Sequence, residues 1–235
     1  MPYLVERKQL VTPGDLVAEG DFNNGDSTYQ EDNRIYASRI GFANFVGRNV
    51  YVIALKGCYF PTIGDLVIGK VIDLRLGAWI IDINAPYVGV LFTSEASDRP
   101  FNSKRDDMLS LFNVGDLILA KVISFDRTRD PTLTIREAGL GKITRGHMIK
   151  VTPAKVPRLI GRRGSMISML QREANCYITI GKNGFVLVSC TKPELEALAI
   201  LAIRTIEKEA HTSGLTNKIS ELIKKEKKEK GLDAI

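Results

Sequence analysis

The sequence predicts a multidomain chain, mostly β with one α+β module: a small N-terminal β domain, a five-stranded OB barrel, a type I KH domain in the order βααββα, and a C-terminal helical tail. Three observations predict it. A Gly-Asp turn leading into an alternating apolar segment occurs three times. A Gly-Arg-Arg-Gly loop separates two helical stretches. The positive charge of the chain is concentrated around that loop.

The turn recurs as Pro13-Gly14-Asp15-Leu16-Val17, Ile63-Gly64-Asp65-Leu66-Val67 and Val114-Gly115-Asp116-Leu117-Ile118. Each copy is a turn feeding a strand. The sequence between copies does not match, so this is shared turn chemistry and not a solenoid repeat. Residues 1–60 hold short apolar alternations such as Arg34–Ser38 and Asn49–Leu55, interrupted by a polar stretch, Gly20–Asp26, read as a mobile loop. Residues 61–140 predict strands at Leu66–Leu74, Ala78–Asn84 and Tyr87–Phe92, a short helix near Lys104–Phe112, then strands at Leu117–Phe125 and Thr132–Arg136. Three strands, a short helix and two strands is the OB order.

Residues 141–213 change rhythm. A strand at Gly146–Val151 precedes one helical turn, Pro157–Ile160. Ser165 is placed to cap a helix with Met166, Ile167, Met169 and Leu170 on its apolar side. Strands Cys176–Ile180 and Phe185–Ser189 flank Gly181-Lys182-Asn183-Gly184, a hairpin turn containing Asn-Gly. A long helix from Pro193 follows. Residues 214–235 are Lys/Glu-rich with little apolar surface beyond Ile219, Leu222 and Ile223, and predict a loosely held helix.

Residues 141–213 hold twelve Lys/Arg against five Asp/Glu in a chain of net charge +6. Clustered cations displace counterions from phosphates, which is the footprint of nucleic-acid binding. The chemistry concentrates at Gly161-Arg162-Arg163-Gly164. The two glycines let phosphates approach the main chain, the following helix offers free N–H donors, and Arg162 and Arg163 supply charge and bidentate contacts. Such GxxG loops clamp about four backbone nucleotides. The barrel is a second candidate, with Trp79, Tyr87 and Phe92 to stack on bases and Lys70, Arg75, Lys104, Arg105, Lys121, Arg127 and Arg129 to meet phosphates.

Catalysis has little footing. His147 and His211 have no partners at metal or nucleophile spacing, Asp106 and Asp107 splay apart, and only Asp82, Asp126 and Asp130 could converge in space. No catalytic residue, metal or cofactor is expected. Cys58, Cys176 and Cys190 are far apart and odd in number, so free buried thiols in a reducing compartment are expected. No secretory signal or membrane-spanning run is present in the sequence read.

Several phrases taken together resemble the archaeal RNA-exosome cap subunits that combine an N-terminal domain, a ribosomal-protein-S-one type OB domain and a KH domain. They are Val11-Thr12-Pro13-Gly14-Asp15, Tyr36-Ala37-Ser38, Leu55-Lys56-Gly57-Cys58-Tyr59-Phe60-Pro61, Gly64-Asp65-Leu66-Val67-Ile68-Gly69, Trp79-Ile80-Ile81-Asp82-Ile83-Asn84-Ala85-Pro86-Tyr87 and Leu159-Ile160-Gly161-Arg162-Arg163-Gly164. The resemblance implies a cytoplasmic, non-catalytic subunit, three copies of which cap a hexameric ring of RNase PH-like phosphorolytic subunits. The N-terminal domain would anchor to the ring, the OB domains would line the entry pore, and the KH domains would lie at the periphery. Single-stranded, A-rich RNA would be captured and its 3′ end fed inward. Lys104, Arg105, Arg127 and Arg129 are the expected pore-lining cations. The alternative is a free-standing ribosome- or translation-associated RNA-binding protein; a nuclease is a third class.

Overall fold

The computed structural model describes residues 3–55, 57–96, 108–210 and 214–229, and the chain divides into two compact units, Met1–Gly57 and Cys58–Ile235. The three Gly-Asp turns share one geometry. Gly14, Gly64 and Gly115 take φ values of 92°, 92° and 100°. The carboxylates of Asp15, Asp65 and Asp116 accept the main-chain N–H of Thr12, Thr62 and Asn113 at 2.7, 3.1 and 2.8 Å. Each aspartate therefore closes its own turn, and a strand starts at the next residue.

In the first unit, strands β1 (Leu10–Val11), β2 (Leu16–Glu19), β3 (Asn23–Asn24), β4 (Thr28–Glu31), β5 (Arg34–Ala37), β6 (Gly41–Val46) and β7 (Asn49–Ala54) form two sheets, β1-β6-β7-β3 and β2-β5-β4. Alternation puts Ile35 and Ala37 of β5 and Val50 and Val52 of β7 into one core with Val11, Val17 and Ala43. The stretch Gly20–Asp26, expected as a mobile loop, is pinned instead. Its β3 pairs in parallel with β7, and Gly25 N–H donates to Val50 O at 2.8 Å.

The second unit begins with β8 (Leu66–Arg75), β9 (Ala78–Asp82), β10 (Val88–Phe92), the short helices α1 (Thr93–Ala96) and α2 (Met108–Leu111), β11 (Leu117–Ser124) and β12 (Thr132–Thr134). Strand β8 pairs with β9 and β11, β9 with β10, β10 with β12 in parallel, and β12 with β11. The ring of pairings closes, giving the five-stranded barrel. Val67, Val71, Trp79, Ile81, Leu91, Ile118, Val122 and Leu133 fill it. Burying each such side chain is worth about 1.5–3 kcal/mol. At the crowded crossing a Cβ on Gly69 would lie 2.3 Å from Ile81 Cγ2, so only glycine fits. A further strand, β13 (Gly141–Ile143), pairs with β11 and extends the barrel sheet.

The last module comprises β14 (His147–Lys150), α3 (Val156–Ile160), α4 (Ser165–Ala174), β15 (Cys176–Ile180), β16 (Phe185–Cys190), α5 (Pro193–Lys208) and α6 (Leu215–Glu229), with sheet order β14-β16-β15. One sheet face, with Ile149, Ile178, Val186 and Val188, packs on the helices through Leu159, Leu170, Leu198 and Ile203. Helix α6 was expected to be loosely held. It is docked: Leu215, Ile219 and Ile223, spaced four apart on one side, are buried in the same core.

The opposite sheet face closes on the barrel. Met148, Phe185 and Leu187 meet Ile68, Leu119 and Ile143. The β15–β16 turn anchors this contact. Asn183 is fully buried. Its Nδ2 donates to the carbonyls of Ile68 (2.6 Å) and Ile83 (2.9 Å), and its Oδ1 accepts Ile68 N–H at 3.4 Å. Asn84 Nδ2 donates to Asn183 O at 2.7 Å, and Lys182 N–H donates to Leu66 O at 2.8 Å. Lys182 Nζ also lies 3.2 Å from Asp65, whose carboxylate accepts the Tyr59 hydroxyl at 2.8 Å. Burial and that acceptor push the Tyr59 phenol well above its ordinary range.

The expectation of free buried thiols is corrected for all three cysteines, two being bridged and the third exposed. Cys176 and Cys190 stand directly opposite in the β15–β16 ladder, with Cα atoms 4.4 Å apart, and form a disulfide. That Cα separation lies within the range a disulfide can bridge. Sequence spacing hid the pair because register, not proximity in sequence, brings the thiols together. Cysteine usage accordingly no longer argues for a reducing compartment. Cys58 is free and exposed. Thiol titration of the denatured, unreduced chain is expected to count one thiol; a count of three would overturn the pairing.

Candidate nucleic-acid interface

The GxxG loop joins α3 to α4. Gly161 sits at φ 75°, where a Cβ would lie 2.8 Å from both N and Cβ of Met166. A side chain there would collide with the first turn of α4, so the loop can pass this close only with glycine. Arg163 is held in the left-handed region at φ 51°, and Gly164 follows at φ 79° as the N-cap of α4. Ser165, expected to be the cap, is already helical, and no side chain caps the first turn of α4. No side chain therefore competes for the N–H groups at this helix start, of which the Ser165 N–H is taken by Arg162 O. Arg162 and Arg163 are exposed, and no described acidic side chain is paired with either.

The approach to the loop is braced by Glu207 of α5. Its Oε1 accepts Thr152 N–H at 2.7 Å and Thr152 Oγ1–H at 2.8 Å, and Arg204 Nη1 lies 3.1 Å from Oε2. Burial alone pushes the Glu207 carboxyl up, but these donors outweigh it and hold the group below its ordinary value. Lys155 Nζ donates to Glu207 O at 2.7 Å, which ties the segment before α3 to the same helix.

On the barrel the sequence candidates separate. Trp79 is corrected. It is fully buried, donates Nε1–H to Phe112 O at 3.2 Å, and packs edge-on to Phe112 at 5.3 Å. It offers no face to a base; its polar edge is satisfied inside the core. Tyr87 is half-buried at the surface, edge-on to Phe125 at 5.0 Å and to Phe60 at 6.4 Å, and its hydroxyl donates to Arg127 O at 3.3 Å. This brings Tyr87 and the β11–β12 loop together. The aromatic partners Phe60 (39% exposed) and Phe125 were not among the stacking candidates read from the sequence. Asp126 stiffens that loop: its carboxylate accepts the N–H and hydroxyl of Thr128, and the hydroxyl bond foremost holds it below the usual carboxylate range. Arg127 and Arg129 are exposed on the loop. Lys70 is exposed on the outer side of β8, in register with Asp82. Lys121 is partly neutralised by Glu137 at 2.6 Å. Arg75 and Phe92 are exposed at strand ends. Lys104 and Arg105 lie outside the described residues, as do Asp106, Asp107 and His211.

Two of the three aspartates considered for a metal are used locally. Asp82 accepts Asn84 N–H at 2.8 Å, and Asp126 holds Thr128. His147 Nδ1 lies 4.0 Å from Glu196 on an exposed edge. Among the described residues no group of three or more His, Cys, Asp or Glu side chains is placed to hold a metal ion, and no helix is long and apolar enough to cross a membrane.

Three family models match in chain order: the exosome RNA-binding protein RRP4 N-terminal domain over residues 8–56, the RRP4 S1 domain over 58–124, and a KH domain over 146–194. The exosome complex component Rrp4 of Thermofilum pendens is 44% identical over 222 residues, covering 93% of this chain and 94% of that protein. The Rrp4 of Nitrosopumilus maritimus is 40% identical, covering 94% and 98%. The chain belongs to the Rrp4 family of exosome components. A crystal structure provisionally described as an exosome complex RNA-binding protein superposes with a TM-score of 0.70 at 45% identity, covering 74% of this chain and 99% of that one. The reading as a free-standing ribosome-associated protein is not favoured, since the matches extend through the Rrp4-type N-terminal domain.

Proposed function

We propose that this chain is an RNA-binding cap subunit of the exosome that holds single-stranded RNA and passes its 3′ end to a phosphorolytic ring for 3′→5′ degradation and processing. The observation that carries the reading is the exposed, unneutralised Arg162–Arg163 pair beside a helix start that no side chain caps, in a chain of the Rrp4 family. The N-terminal unit anchors to a hexamer of RNase PH-like subunits, three copies form the cap, and A-rich strands are favoured. The barrel guides the strand with Tyr87, Arg127 and Arg129, joined by Lys104 and Arg105, while Lys70 and Lys121 add charge; the KH loop grips phosphates through Gly161, Arg162, Arg163 and Gly164. The subunit acts in the cytoplasm and needs no cofactor. It has no catalysis of its own, which fits the local, turn-closing use of Asp82 and Asp126.

The test is reconstitution. Purified chain alone is expected to bind single-stranded RNA with affinity that falls as salt rises and to leave its length unchanged. Shortening is expected only when the ring and inorganic phosphate are both added. RNA shortened by the chain alone, or failure to co-elute with the ring, would overturn this reading.

A further inference from the structure

A groove of 230 Å³ lies between the barrel and the outer face of the KH sheet, away from the GxxG loop. The barrel side supplies Lys142 of β13 and the connecting residues Thr144 and Arg145. The KH side supplies Tyr177 and Thr179 of β15 and Ser189 of β16. Leu119 and Leu187, the edge of the apolar contact between the two modules, also line it. Among the described residues, no carboxylate lines the groove.

The chemistry of this lining is selective. Tyr177 is 69% exposed, an unusual position for an aromatic ring on a sheet face otherwise covered by a neighbouring module. Cross-strand register sets Ser189 beside it. Lys142 is spoken for by Asp116 at 2.5 Å. Arg145 is exposed, and no described acidic side chain is paired with it. A nucleobase has two apolar faces and a polar rim, and it is followed by a phosphate. The groove offers a ring and leucine side chains for the faces, three hydroxyls for the rim, and one unneutralised guanidinium for the phosphate. Its volume is below the roughly 300 Å³ at which drug-sized ligand pockets begin, which suits one base and not a folded ligand.

We propose that this groove is a second RNA subsite of the chain, taking a single base of a single strand on Tyr177 with the adjoining phosphate on Arg145. It rests on the RNA-binding reading above but is separate from both the KH loop and the Tyr87 corner. An occupant would touch β13, the connector and the KH sheet at once, so a bound strand would bridge the two modules. The β15–β16 turn is committed to the barrel through Asn183, which holds the two walls of the groove in place.

The test uses the full chain and a fluorescein-labelled oligoadenylate. Base–aromatic stacking predicts that Tyr177→Ala weakens binding about tenfold, while Tyr177→Phe keeps wild-type affinity because the ring remains. Arg145→Glu should flatten the salt slope by about one unit. Ultraviolet crosslinking followed by mass spectrometry should recover the peptide carrying Tyr177, also in the Arg162→Glu/Arg163→Glu background. Wild-type chain that does not bind RNA would overturn the RNA-binding reading itself. RNA binding that is unchanged in Tyr177→Ala, with no crosslink to Tyr177, would overturn the subsite alone. Loss of ring association in Tyr177→Ala with RNA affinity intact would make the groove a protein contact and overturn it equally.

Discussion

Replacing Asn183 with alanine should destabilise the second unit by about 3 kcal/mol, one of the largest single-residue effects available outside the two cores. The side chain is fully buried and holds three main-chain groups of the barrel: the carbonyls of Ile68 and Ile83 and the N–H of Ile68. Alanine leaves these groups buried without partners, at about 1–3 kcal/mol for each one that water cannot reach. For a unit of this size the expected fall in Tm is roughly 6–12 °C. Asn183→Asp should be worse than alanine, because a buried carboxylate would face two carbonyl oxygens. Lys182→Ala is the control. Its ion pair with Asp65 is solvent-exposed on the lysine side, so its loss should cost less than about 1 kcal/mol. Thermal and urea unfolding followed by circular dichroism measure all three. If Asn183→Ala shifted the transition no further than Lys182→Ala, the turn would be a passive hairpin and not the anchor between modules.

Why the anchor escaped sequence reading is physically plain. Gly181-Lys182-Asn183-Gly184 has the composition of a surface hairpin turn, and it is one: Gly184 N–H donates to Gly181 O, and the strands on either side pair as expected. Nothing local says that the turn will be buried by a barrel more than a hundred residues earlier in the chain. The same limit explains Trp79. The apolar run Ala78–Ile81 identifies a strand, but all four residues are buried and no period of two says which face meets water. The disulfide and the docking of α6 likewise depend on register and on a partner surface. What was legible is what local chemistry determines. The Gly-Asp turns, the strand order of the barrel, the βααββα order and the GxxG loop all rest on glycine placement, on apolar period and on short-range hydrogen bonds.

The candidate site divides along the same line. Gly161 to Gly164 could be read directly, because the need for glycine against Met166 and for cations beside a helix start is written in consecutive residues. The barrel surface could not. Arg127 and Tyr87 are forty residues apart and meet only through the parallel pairing of β10 with β12, which brings the starts of both strands to one end of the barrel. Phe60 and Phe125 join them from two further segments.

Reversing the charge of the KH loop, Arg162→Glu with Arg163→Glu, should lower affinity for single-stranded RNA by at least tenfold while leaving stability unchanged. Both side chains are exposed and have no described acidic partner, so their removal breaks no internal interaction. Stability should therefore stay within about 0.5 kcal/mol of wild type. The discriminating readout is salt dependence. Each phosphate neutralised on a single strand contributes about 0.7 to the slope of log K against log salt, so two lost contacts should flatten that slope by about one to two units. Affinity that fell without a change in slope would mean the loop positions RNA by shape and not by charge. Affinity and slope both unchanged would assign the KH module to scaffolding, with Tyr87, Arg127 and Arg129 left to carry the strand. Measuring the variant alone and again in the assembled complex separates the two roles: a grip that matters for capture weakens both, whereas one redundant with the barrel loops weakens only the isolated chain.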